Sequence, residues 1–349
     1  PQDTVTICLP EDTEIAKNDV MTRAMDLLLH AEISYITKEQ IANLLHKADG
    51  KVAILAAELQ SMELSNELRG ALIDKLYSAG VRVVAVPDGA AAGVLLDNYL
   101  QTGNTGSLDS YLSVLPADRR DSARTLWEHV RTRYPGVFHA AGLGADARSA
   151  TVGKALTVLA NASYNTPETE IAEAVQVMRS GTTSNAVYWF KTAMAKYPRQ
   201  MVRYFGSRFA AVSRLYYAMQ GTLNVADDSE LPTYDAKQLL KTYKKDGILI
   251  FTDEASALMT EGSMASELQA QLDKQKYGED EDPQRVCAIG AVYGTWSNAG
   301  SFTPDDTETA WDADSLTEYL GSDALRGKDM LLALDGEDSP YLTENCLLK

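Results

Sequence analysis

The sequence predicts an α+β fold, predominantly α-helical. It has an α/β-like N-terminal region (1–100), an all-helical region carrying a basic, aromatic segment (101–232) and a mixed, acidic C-terminal region (233–349). Three observations carry this. Over the first hundred residues, short apolar runs alternate with amphipathic ones at the pitch of a parallel α/β layer. From about Ala90 to Leu231 apolar residues recur at helical spacing instead. Charge is also segregated: net −8 over 1–173, +7 over 174–226 and −16 over 227–349, within a total of −17.

In order along the chain, Thr4–Leu9 is a β-rich run, followed by a helical pattern over Glu14–His30. Glu32–Ile36 is a short strand candidate; Thr37 with Gln40 forms a capping box that opens a helix over Lys38–Lys47. Lys51–Ala56 reads as a strand and Leu64–Ser78 as a helix stopped at Gly80. The apolar run Val81–Val86 is a strand ended by Pro87-Asp88-Gly89. Seven helices follow: Ala91–Gln101, Ser107–Leu115, Ala117–Arg133, Ser149–Ala162, Thr166–Ser180, Ser184–Lys196 and Pro198–Gln220. Turn signals, among them Gly142–Gly144, separate them. A helix over Tyr234–Tyr243 then leads into a strand, Gly247–Thr252, and a helical stretch, Glu254–Gln275. Arg285–Tyr293 and Met330–Leu334 are the last strands, within a tail rich in Asp, Ser, Thr and Gly.

No apolar run approaches the roughly 18 residues of a membrane span, and no secretory signal pattern stands at the N-terminus. Three widely spaced cysteines (Cys8, Cys287, Cys346) make neither a disulfide framework nor a CxxC metal site. A reducing, cytoplasmic setting without membrane partners is therefore expected, as is the absence of any cofactor or metal.

The acid-free stretch is the most informative feature. Ala174–Ala226 contains no Asp or Glu but has seven bases and nine aromatic residues. Projected as one helix, Pro198–Gln220 puts Val202, Phe205, Phe209, Val212 and Tyr216 on one stripe, and Arg199, Arg203, Ser207 and Arg214 on another face. A row of guanidiniums opposite a core stripe suits a phosphate track, since the planar fork binds phosphate oxygens bidentately. Lys196, Arg199, Arg203, Arg208 and Arg214 are then the candidate nucleic-acid contacts, with Tyr204 and Tyr217 stacking on bases. The competing explanation is that the arginines pair with the acidic C-terminal region.

The segment Lys196–Met219 (KYPRQMVRYFGSRFAAVSRLYYAM) resembles the central helix of the coat proteins of flexuous filamentous RNA viruses and, more broadly, helical viral nucleoproteins. That resemblance implies a self-assembling, sequence-independent binder of single-stranded RNA, a filament or ring in the cytoplasm or the virion, with Arg199 and Arg203 on the RNA phosphates. The alternative is an intracellular α/β enzyme with a helical insertion, acting on an anionic small molecule held by the same arginines. A scaffold docking an acidic protein is a third reading.

Catalytic signatures are sparse, and no catalytic residue is assigned. Lys154 lacks P-loop spacing, and Gly142-Leu143-Gly144 follows no evident strand. The four histidines, His30, His46, His129 and His139, are far apart in sequence. The acids best placed for chemistry are Asp88, Asp253 and Glu254, just past strands whose carboxyl ends would form a crevice. Their plainer reading is a turn residue and helix caps.

Overall fold

A computed structural model describes residues 6–8, 34–35, 52–56, 62–78, 80–146, 149–181, 183–221, 231–244, 246–252, 262–275, 286–293, 295–296, 309–310 and 330–334. Among these the strands are β1 Thr6–Cys8, β2 Ser34–Tyr35, β3 Val52–Ala56, β4 Val81–Val86, β5 His139–Gly142, β6 Gly247–Thr252, β7 Val286–Tyr293, β8 Thr295–Trp296, β9 Thr309–Ala310 and β10 Met330–Leu334. The helices are α1 Met62–Ser78, α2 Ala90–Thr102, α3 Thr105–Leu112, α4 Arg120–Arg133, α5 Ser149–Asn161, α6 Thr169–Ser180, α7 Thr183–Lys196, α8 Pro198–Phe205, α9 Phe209–Gly221, α10 Leu231–Thr242 and α11 Met264–Leu272. The fold is α+β and predominantly helical.

The chain forms two compact units, 1–82 with 245–349, and 83–244. The first is built on parallel strands in the order β2-β1-β10-β7-β3-β6. Parallel pairing of this kind buries both faces, which is why β6 reads GILIFT, apolar without alternation, and is buried from Ile248 to Thr252. The predicted helices Glu14–His30 and Lys38–Lys47, and Asp253 and Glu254, lie outside the described residues.

The second unit is a helical body with two parallel strands. β4 carries four valines in six residues and is buried except at Arg82. It pairs with β5 from Val83↔His139 to Val86↔Gly142. Helices α2 to α10 supply most of the core, with Leu96, Trp127, Val130, Phe138, Leu156 and Phe190 fully buried. Among the described residues no helix is long and apolar enough to cross a membrane.

Two differences from the expected elements matter. The short strand β5 stands where no strand was predicted, because His-Ala-Ala-Gly carries no β-branched residue. The helix expected over Pro198–Gln220 is two helices, α8 and α9, separated by a 3-10 turn at Gly206–Arg208. Gly206 lies at φ 54°, ψ −124°, a conformation side chains disfavour, and it breaks the helix there. The single guanidinium face drawn from a continuous helix therefore does not exist.

Candidate active site

The site is built at the carboxyl ends of β4 and β5. β4 ends in Pro87-Asp88-Gly89 and β5 in Leu143-Gly144-Ala145-Asp146, and the backbone ties these loops together. Leu143 N–H donates to the Val86 carbonyl at 2.7 Å, continuing the strand pairing, and Gly89 N–H donates to the Leu143 carbonyl at 2.9 Å. In open α/β sheets the loops past the carboxyl ends of strands form the ligand crevice.

Asp146 is the pivot of the second loop. Gly89, at the N-cap of α2, has no side chain to satisfy the first N–H groups of that helix. Asp146 does so from 55 residues away, its Oδ2 accepting from Ala91 N–H at 2.8 Å. The residue is only 8% exposed. Burial pushes its carboxyl up to about 6; the Ala91 and Ala90 N–H groups and the Arg214 charge pull the other way, and Asp235 adds to the rise. A Cβ at Gly89 would run into this carboxylate, and one at Gly93 or Gly142 would overlap facing backbone. The first turn of α2 thus lies directly against the end of β5.

Behind Asp146 sits a buried ion pair. Arg214 Nε donates to Asp235 Oδ1 at 2.9 Å, with side-chain exposures of 10% and 1%. Asp235 Oδ2 accepts from Gly144 N–H at 2.9 Å, and Arg214 Nη2 donates to the Gly142 carbonyl. β5 pairs only with β4 among the described strands, so its other edge needs partners. Arg214 supplies one at Gly142, and Asp97 Oδ1 supplies another by accepting from Ala140 N–H at 3.0 Å. Asp97 Oδ1 also meets His139 Nδ1 at 3.0 Å. That pair lies at the amino end of β5, opposite the crevice.

A cavity of about 50 Å³ flanks β5, lined by Gly93, Ala141, Arg214, Gln238 and Tyr243. Asp88 is half-exposed, and its Oδ2 accepts from the buried Tyr111 hydroxyl at 2.8 Å. Tyr111 is held edge-on to the Trp127 ring at 6.3 Å. Of the sequence candidates for chemistry, then, Asp88 belongs to this crevice. Asp146, Tyr111 and Asp235 were missed; the signal for Asp146 was Gly142-Leu143-Gly144, discounted because β5 went unseen.

The proposed nucleic-acid contacts do not form one surface. Lys196, Arg199 and Arg208 are exposed, and Arg203 is exposed but ion-paired to Glu168 at 3.0 Å. Arg214 is buried against Asp235. Tyr204 is buried, its hydroxyl donating to the Ala160 carbonyl at 2.9 Å. Tyr217 stacks on Tyr234 at 3.8 Å between ring centres.

No family model matches the sequence, and no curated protein is significantly similar to it. Among solved structures the chain is similar in fold to a protein from Bacillus cereus: 14% identity, 87% of this chain and 84% of that one covered, TM-score 0.54. It is likewise similar to a succinoglycan biosynthesis protein, at 12% identity, 82% and 78% coverage and TM-score 0.52. An erythromycin esterase mutant in its open conformation aligns at 14% identity, 78% of each chain and TM-score 0.48. At such identities the likeness is one of fold. It corrects the resemblance to flexuous-virus coat proteins and nucleoproteins, and with it the expected function as an RNA-binding viral nucleoprotein or coat protein. The fold is one found in a Bacillus cereus protein and a succinoglycan biosynthesis protein.

Proposed function

We propose that the chain is an α/β enzyme with a helical insertion, acting on a small molecule in the crevice past β4 and β5. The observation that carries this reading is the placement of Asp88 and Asp146 on hydrogen-bonded loops that follow adjacent parallel strands. Asp88 is the one within reach of solvent, and the Tyr111 hydroxyl fixes its orientation. It acts as the general base or acid toward a substrate hydroxyl or a water. Asp146 is a positioning residue: by capping α2 it holds the Asp88 turn in place. Arg214, one of the arginines expected to hold an anionic substrate, is neutralised by Asp235. The panel of substrates therefore spans neutral and anionic esters.

Turnover of small carboxylic and phosphate esters, neutral and anionic, is measured for the wild type, Asp88→Asn and Tyr111→Phe. The reading expects turnover of at least one class and a loss of about 10²–10⁴-fold in kcat for Asp88→Asn with the fold intact. Tyr111→Phe is expected to move the pH–rate profile. Full activity in a folded Asp88→Asn variant contradicts the assignment.

A further inference from the structure

We propose that the basic face around α8 docks the acidic C-terminal region (227–349) of a second copy of this chain, head to tail. Lys196, Arg199 and Arg208 are exposed and take part in no ion pair among the described residues; Arg203, 70% exposed, meets only Glu168. Two apolar groups stand beside these charges. Val202, 44% exposed, lies between Arg199 and Arg203 on the same outer face of α8. Tyr164 is 95% exposed, and the loop that carries it is fastened to the end of α8 on both sides. Ser163 Oγ donates to the Tyr204 carbonyl at 2.6 Å, and Asn165 Nδ2 donates to the Arg203 and Tyr204 carbonyls at 3.1 and 2.9 Å. A tyrosine presented by an anchored loop near arginines matches the residue types enriched at protein interfaces and their hot spots.

Charge complementarity identifies the occupant. The stretch containing this face has no acid in 53 residues and a net charge of +7, whereas 227–349 has 26 acids against 10 bases. Every copy therefore carries both halves of the contact. Joining unlike surfaces, the contact is heterologous and repeats from copy to copy. Single exposed ion pairs contribute little, so Tyr164 and Val202 have to form the dry centre and the arginines the rim.

Sedimentation velocity of the full chain tests this at about 50 mM and about 500 mM salt, where screening lengths differ more than twofold. Growth in mass with concentration is expected at low salt, and loss of that growth at high salt. Arg199→Glu/Arg203→Glu should raise the concentration for half-association about tenfold or more, and Tyr164→Ala severalfold, with unchanged melting curves. Added to wild type, the Arg199→Glu/Arg203→Glu variant should shorten the assemblies, since it still offers an acidic region but accepts none. A monomer at every concentration in low salt overturns the proposal. So does association that both variants leave unchanged, or that appears only when single-stranded polynucleotide is added.

Discussion

Asp146 and Arg214 each carry a consequence that a single substitution reads. The Asp146 carboxyl ionises near 6 in the folded chain, above the ordinary aspartate value. The neutral form is therefore the better fit to the fold. The stability this lends is full below about pH 4, where the unfolded chain is protonated too, and is lost as pH rises through about 6. Two pH units at about 1.4 kcal/mol each make about 3 kcal/mol. Asp146→Asn, still able to accept from Ala91 N–H, should flatten the fall in stability between pH 4 and 7, read from urea midpoints. At Arg214 the expectation is a loss. Arg214→Leu leaves Asp235 buried without a counter-charge and should cost about 3–5 kcal/mol, whereas the double variant with Asp235→Leu should cost less than the sum. Equal and additive losses would mean that the pair is not coupled.

At the scale of elements, glycines decide where backbone runs. Gly93 and Gly142 let α2 lie against β5, and Gly93→Ala should destabilise by about 1–3 kcal/mol or more, because the facing atoms are backbone and cannot turn aside. Gly206→Ala meets another obstacle, its positive φ, and should cost about 1–3 kcal/mol and pull α8 and α9 toward one helix. Circular dichroism with chemical denaturation reads both. The elements legible in the sequence were those with strong local patterns. β4 and β6 were read to the residue from their apolar, β-branched runs, and α2, α5 and α7 to within a residue or so. β5 was not, since two alanines and a glycine become a strand only by pairing with β4. Without β5 no strand end marks Asp146 as a crevice residue. The kink at Gly206 escaped because apolar periodicity passes across a single glycine unbroken, so Tyr204 and Arg214 were projected outward when both are buried.

For the whole molecule, the segregation of charge was legible from residue counts, but what it does was not. Five of the seven bases in the acid-free stretch, Arg179, Lys196, Arg199, Arg203 and Arg208, do face outward, and one, Arg214, is part of the scaffold behind the crevice. Basic residues thus serve two purposes that composition cannot separate, and only burial sorts them. The central claim, that small molecules bind at the carboxyl ends of β4 and β5, has a direct reading in backbone amide NMR shifts during titration with a small-molecule ester panel. The account predicts perturbations concentrated at residues 88–91, 111 and 143–146, and their loss in Asp88→Asn. Perturbations confined to 196–208, with the crevice amides unmoved, would contradict it.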